Sequence, residues 1–192
     1  MRKIVRNFKL LGRIKPSITI AFVIGALSGV GYNHVTFGQW LSTPSKLEQI
    51  NVCFTPGCES LIVQQIYISR SSIYVQAFGL TSPSIIQQLI DAHNRGVKVN
   101  VILDGSNLSD NEIAIGQLKA AGVKILIDKV PGIAHNKIMI IDGQKVITGS
   151  FNFTVAAEKR NAENVLLISD PKLAIIYMNN WLFRAQKSHF LY

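Results

Sequence analysis

The sequence predicts an α/β domain, an α/β/α sandwich around a mixed β-sheet, preceded by an N-terminal signal or anchor segment. Three observations carry that reading. From Leu61 to Arg184, β-rich runs alternate with runs of helical period, as in strands joined by helical crossovers. Two neighbouring β-runs are separated by Asp142-Gly143, a hairpin signal that adds antiparallel strands to the sheet. At the N-terminus, six basic residues stand ahead of an uncharged apolar run.

Those six are Arg2, Lys3, Arg6, Lys9, Arg13 and Lys15, and the apolar run extends from Ile18 to Tyr32. The order resembles a secretory signal, and Ala26-Leu27-Ser28 offers small residues for cleavage. Residues 1–32 are thus a signal peptide, or, taken from 17 to 35, an uncleaved anchor near the ~17-residue lower limit for a span. Both readings export the rest of the chain, leaving it secreted, periplasmic or anchored to the inner membrane. Residues 33–51 are polar, with Gly38, Ser42, Pro44 and Ser45, and read as a linker. The folded domain is expected over 52–192, long enough for one core.

The chain has 20 Lys and Arg against 11 Asp and Glu, a net +9. No acidic residue precedes Glu48, so beyond the leader 14 cations face 11 anions and the net is +3. The basic excess belongs to the leader and is a weak sign of a polyanion partner. Cys53 and Cys58 are the two cysteines and flank a turn-forming Pro56-Gly57. In an exported protein they are expected to form a disulfide, and in a reducing compartment two thiols. Two cysteines without a nearby pair of histidines make a poor zinc site.

Leu61, Ile62 and Ile66 have helical spacing and form the first helix. Ser72–Phe78 is a strand ending at Gly79. Ser82 is an N-cap with Pro83 at the first helical position, and the helix runs through Ile85, Ile86, Leu89 and Ile90 to Asn94–Gly96. Val97–Leu103 is the next strand. Ser109 and Glu112 have capping-box spacing and open a helix that ends near Gly122. Val123–Ile127, Ala134–Ile141, Lys145–Thr148 and Val165–Ser169 are strands. Pro171 opens a last helix through Leu173, Ile176, Tyr177, Asn180, Trp181 and Arg184.

The chemistry concentrates between His135 and Asn152. A His and a Lys two apart on a strand share a face. A lone histidine proves little, but Lys137 interrupts an apolar strand, where an unpaired ammonium is costly and needs an anionic partner. Gly149, Ser150 and Asn152 add a hydroxyl and an amide nearby. Asp142 suits the hairpin corner and is expected to support the strands or pair with a basic group rather than touch substrate.

The spacing H-x-K-x4-D-x6-G-S-x-N resembles the signature of the phospholipase D superfamily. Cys53–Cys58, Ile73–Phe78, Ala92–Val97 and Gly149–Thr154 resemble its short bacterial branch, which includes secreted endonucleases and small phospholipase D proteins of intracellular bacteria. The likeness covers Val52 to Ala185. It implies a phosphodiesterase, with His135 as nucleophile and acid–base group, and Lys137, Ser150 and Asn152 stabilising phosphate charge. Glu163 matches the family's carboxylate that orients the opposing histidine, with Glu158 as the alternative. No metal and no cofactor are implied. Larger members carry two motifs, whereas this chain has one, so the likeness implies a homodimer sharing one site. The substrate is expected to be phospholipid, with nucleic acid as the alternative. A non-catalytic binding protein on the same scaffold is a third class, disfavoured because the motif is intact.

Overall fold

The computed structural model describes residues 50–191, so the leader and most of the linker lie outside the described residues. In chain order the elements are β1 (Ile50–Phe54), α1 (Cys58–Ile68), β2 (Ser72–Ala77), α2 (Pro83–Asn94), β3 (Lys98–Asp104), α3 (Glu112–Ala120) and β4 (Lys124–Asp128). There follow β5 (Lys137–Ile141), β6 (Lys145–Gly149), α4 (Val155–Lys159), β7 (Asn164–Ser169), α5 (Pro171–Lys187) and β8 (His189–Phe190). The strands form one sheet in the order β1-β7-β6-β5-β2-β3-β4-β8. β2, β3 and β4 are parallel, while the neighbours on both flanks are antiparallel, so the sheet is mixed as expected.

Apolar residues on the two faces of the sheet build two cores. Ile73, Val75, Val101, Ile127 and Met139 pack with Ile62 and Ile66 of α1 and with Ile85 and Leu89 of α2. Ile102, Leu126, Ile138, Ile140 and Val146 pack with Ala174 and Trp181 of α5 on the opposite face. A central strand covered on both faces must be apolar throughout, and every residue of β5, including Lys137, is buried. Trp181 satisfies its indole N–H on the Val75 carbonyl at 2.9 Å, and Arg184 pairs with the buried Asp128 carboxylate. Ser82 caps α2 as expected, its hydroxyl accepting the Ile85 N–H at 3.3 Å.

Several boundaries differ from the sequence reading. β1 begins at Ile50, so Ile50 and Asn51 belong to the sheet and not to a linker. The strand expected over Ala134–Ile141 begins at Lys137, and His135 precedes it in irregular backbone. The capping box fails because α3 starts at Glu112 with Asn111 before it. The Asn111 side chain is drawn away to the Leu80 N–H and the Phe78 carbonyl. α4 and β8 were not expected; each is too short to show a period. Among the described residues, no helix is long and apolar enough to cross a membrane.

Candidate active site

The approach to β5 is fixed from the core. Asp104, 2% exposed at the C-terminal end of β3, accepts the Ala134 N–H at 2.7 Å and also the N–H and hydroxyl of Ser106. The buried Gln76 of β2 donates to the Asn136 side chain at 3.0 Å, and the Asn136 carbonyl accepts the Phe78 N–H at 2.9 Å. These bonds bracket His135, whose imidazole is exposed and meets the Phe78 ring edge-on at 4.7 Å between centroids. Lys137 lies beneath. Its ammonium donates to the His135 carbonyl at 3.0 Å and sits 5.6 Å from the centre of the Phe78 ring. Burial lowers the Lys137 pKa below the ordinary lysine range, and the negative charge of Glu163 works against that fall. Glu163 is thus the negative charge that acts on Lys137 through space, while the direct contact of the ammonium is the His135 carbonyl.

The other limb comes from the ends of β6 and β7. Gly149 has φ 150°, and a Cβ there would stand 2.2 Å from the Asn164 carbonyl oxygen, so only glycine fits. This close approach lets Ser150 pair with the following strand. Its N–H donates to the Asn164 carbonyl, and its hydroxyl accepts the Asn164 N–H, both at 3.1 Å. The same hydroxyl donates to Glu163 at 2.5 Å, and the Asn161 amide donates to the second Glu163 oxygen at 2.9 Å. An open cleft of about 410 Å³ joins the limbs, lined by His135, Lys137, Gly149, Ile176, Tyr177 and Asn180. A hollow of about 270 Å³ beside it is lined by Phe54, Thr55, Ser150 and Glu163.

Asn152 does not line that cleft. It borders a neighbouring hollow with Phe78, Gly79 and Asn107, and its side-chain oxygen is buried without a hydrogen-bond partner. Asp142 stands apart from the cleft, at the hairpin corner with φ 55°. Its carboxylate accepts the N–H groups of Arg70, Ser71 and Ser72 and the Ser71 hydroxyl. Burial opposes its charge, but these bonds outweigh it and hold its pKa below the usual carboxylate range. Asp142 thus ties the hairpin corner to the backbone that leads into β2. Glu158 is occupied elsewhere: its carboxylate accepts the Gly57 and Glu59 N–H groups. Cys53 and Cys58 are joined in a disulfide. Among the described residues, no cluster of three or more His, Cys, Asp or Glu could hold a metal ion.

The sequence reading missed Gln76, Phe78, Asp104 and Thr55. Gln76 and Asp104 did leave a signal, since each places a polar group in or at the end of an apolar strand. Chemically, the arrangement offers an exposed imidazole and a buried ammonium in the cleft, with a hydroxyl and carboxylate lining the second hollow. That set can attack a phosphorus centre and neutralise the oxygens around it.

A family model described as "Cardiolipin synthase, PLD-like domain" matches residues 62–181. The chain is 45% identical over 192 aligned residues to "Phospholipase D" of Rickettsia bellii (strain RML369-C), an alignment covering 89% of this chain and 94% of that protein. It is 54% identical over 149 residues to "Phospholipase D" of Rickettsia prowazekii (strain Madrid E), covering 76% and 73%. Among solved structures, it resembles the phospholipase D family member Nuc from Salmonella typhimurium. That likeness has a TM-score of 0.72 and 31% identity, covering 74% of this chain and 97% of Nuc.

Proposed function

Because this chain belongs to the phospholipase D superfamily, in its short branch with one His–Lys motif, we propose that it hydrolyses phospholipid phosphodiesters through His135. It is a phosphodiesterase. The observation that carries the finer reading is the exposed His135 next to the buried Lys137, whose ammonium donates to the His135 carbonyl. His135 attacks phosphorus, forming an N–P bond as the bond to the leaving alcohol breaks. His135 of a second copy gives that alcohol its proton, then takes one from water as the new P–O bond releases the first histidine. Lys137 and Ser150 stabilise charge on the nonbridging oxygens, and Asn152, which borders the neighbouring hollow, is assigned the same role by its place in the motif. Glu163 holds Ser150 and sustains the Lys137 charge. No step requires a metal or cofactor.

The second copy is a homodimer partner. One motif supplies one histidine where the reaction uses two. Exposed apolar side chains flank the site on both sides: Phe54, 72% exposed, and Ile176, 63% exposed. Burying them against a copy of the chain would bring the two clefts together. The basic, apolar leader supports export of the protein, and the disulfide suits that location.

Phospholipid is the favoured substrate because the Rickettsia proteins, which align along most of their length, are named for that activity. Nucleic acid is the alternative substrate, since the short branch that the motif resembles includes secreted endonucleases. The test is hydrolysis of phosphatidylcholine vesicles beside single- and double-stranded DNA, all with EDTA. Release of choline with DNA left intact supports the proposal; DNA cleavage with intact lipid transfers it to the nuclease reading.

A further inference from the structure

Cys53 is the last residue but one of the sheet-edge strand β1, and Cys58 is a fully buried residue that opens α1. The disulfide between them therefore ties an edge to the core, with a Cα separation of 5.6 Å. What the closed loop holds is the base of the site. The Thr55 hydroxyl donates to the Asn161 carbonyl at 2.8 Å and accepts the Glu163 N–H at 3.0 Å. The Thr55 N–H donates to the Glu163 carbonyl at 3.1 Å. At the far end of the loop, Gly57 and Glu59 donate their N–H groups to Glu158. Residues 158–163 are thus gripped at both ends, and Glu163 emerges from that grip to hold Ser150 and face Lys137. The loop leaves the sheet beside Glu163, because β1 pairs antiparallel with β7, Cys53 opposite Val165 and Phe54 opposite Asn164, while the Val52 and Phe54 side chains are 54% and 72% exposed.

We propose that the disulfide-closed loop Cys53–Cys58, acting through Thr55, is the positioning element for Glu163, so that turnover depends on the bond and on the Thr55 hydroxyl. This rests on the assignment of Glu163 and Ser150 to the site. Thr55 touches no substrate; it sets where Glu163 stands. A small displacement of an orienting group costs rate more than binding. Reduction by a dithiol delivers two electrons and two protons, converting the bond to two thiols while the dithiol becomes a cyclic disulfide.

The experiment compares kcat and KM on bis(p-nitrophenyl) phosphate for the wild-type protein, Thr55→Val, Thr55→Ser and Glu163→Gln. Wild type and Thr55→Val are also assayed after reduction, with thiols counted and folding followed by circular dichroism. The expected result is a kcat loss of about tenfold to a hundredfold in Thr55→Val, with KM nearly unchanged and activity kept in Thr55→Ser. Reduction should lower wild-type kcat in the same range and add little to Thr55→Val, because one connection has already been cut. Full activity in Thr55→Val, or in the fully reduced wild type, overturns the inference while a crippled Glu163→Gln leaves the site assignment standing. Full activity in Glu163→Gln overturns the site assignment itself. Should Thr55→Val fail to fold, Thr55→Ser and the reduced wild type decide.

Discussion

The His135–Lys137 limb hangs on groups buried within the sheet, whereas the Ser150–Glu163 limb hangs on half-exposed bonds at its edge. Asp104 and Gln76 are each 2% exposed, and they reach His135 through neighbouring backbone and amide groups. Opposite them, Glu163 depends on Asn161, on Ser150 and on a loop closed by one disulfide. The group assigned the bond-making step is thus anchored to buried side chains, and the group that tunes charge is anchored to the exposed Asn161 and Ser150. Chemistry and adjustment are therefore separable by mutation.

The largest effect should come from His135→Asn, which removes the nucleophile and leaves an exposed side chain of similar shape. Turnover should drop by roughly 10³-fold or more with an unchanged melting curve. Substantial activity in that folded variant would refute the assignment. Asp104→Ala attacks the same limb from behind. It strands the Ala134 and Ser106 N–H groups, which should cost about 1–3 kcal/mol in urea unfolding and lower kcat as well. If activity falls without any loss of stability, Asp104 acts on the site by a route other than the one described.

Glu163→Gln probes the edge limb through pH. Burial already depresses the Lys137 pKa, and the Glu163 charge counters it. The catalytic ammonium is lost as pH rises through that lowered pKa, so the alkaline limb of kcat should lie below the ordinary lysine range. Removing the Glu163 charge should move that limb to still lower pH. A limb that stays in place, or moves upward, separates Glu163 from Lys137. The smallest effect, none beyond error, is expected from dialysis against EDTA, because the proposed mechanism assigns the charge stabilisation to side chains of the protein. Activity lost to EDTA and restored by a divalent ion would overturn the metal-free mechanism.

The difference between the limbs also explains what could be read in the sequence. His135, Lys137, Gly149, Ser150 and Asn152 lie within one short stretch, and Lys137 stands out because a charge in an apolar strand demands a reason. The strands and the helices with clear periods were legible for the same local cause. The supports were not. Asp104 acts 30 residues from Ala134, and Thr55 acts 108 residues from Glu163, through backbone groups that every residue possesses. β1 was hidden because its alternating residues Ile50, Val52 and Phe54 turn their apolar side to solvent. Lys137 was expected to share a strand with His135. The backbone becomes regular only at Lys137, because Asp104 and Gln76 capture the preceding residues first.

The most direct test of the account is to trap the covalent intermediate. Wild-type protein mixed with phospholipid labelled in the phosphatidyl group, then quenched in alkaline denaturant during turnover, should carry the label on the peptide containing His135. The His135→Asn protein should carry none. Label on any other residue, or rapid turnover with no label on His135, would contradict the assignment of His135 as the nucleophile.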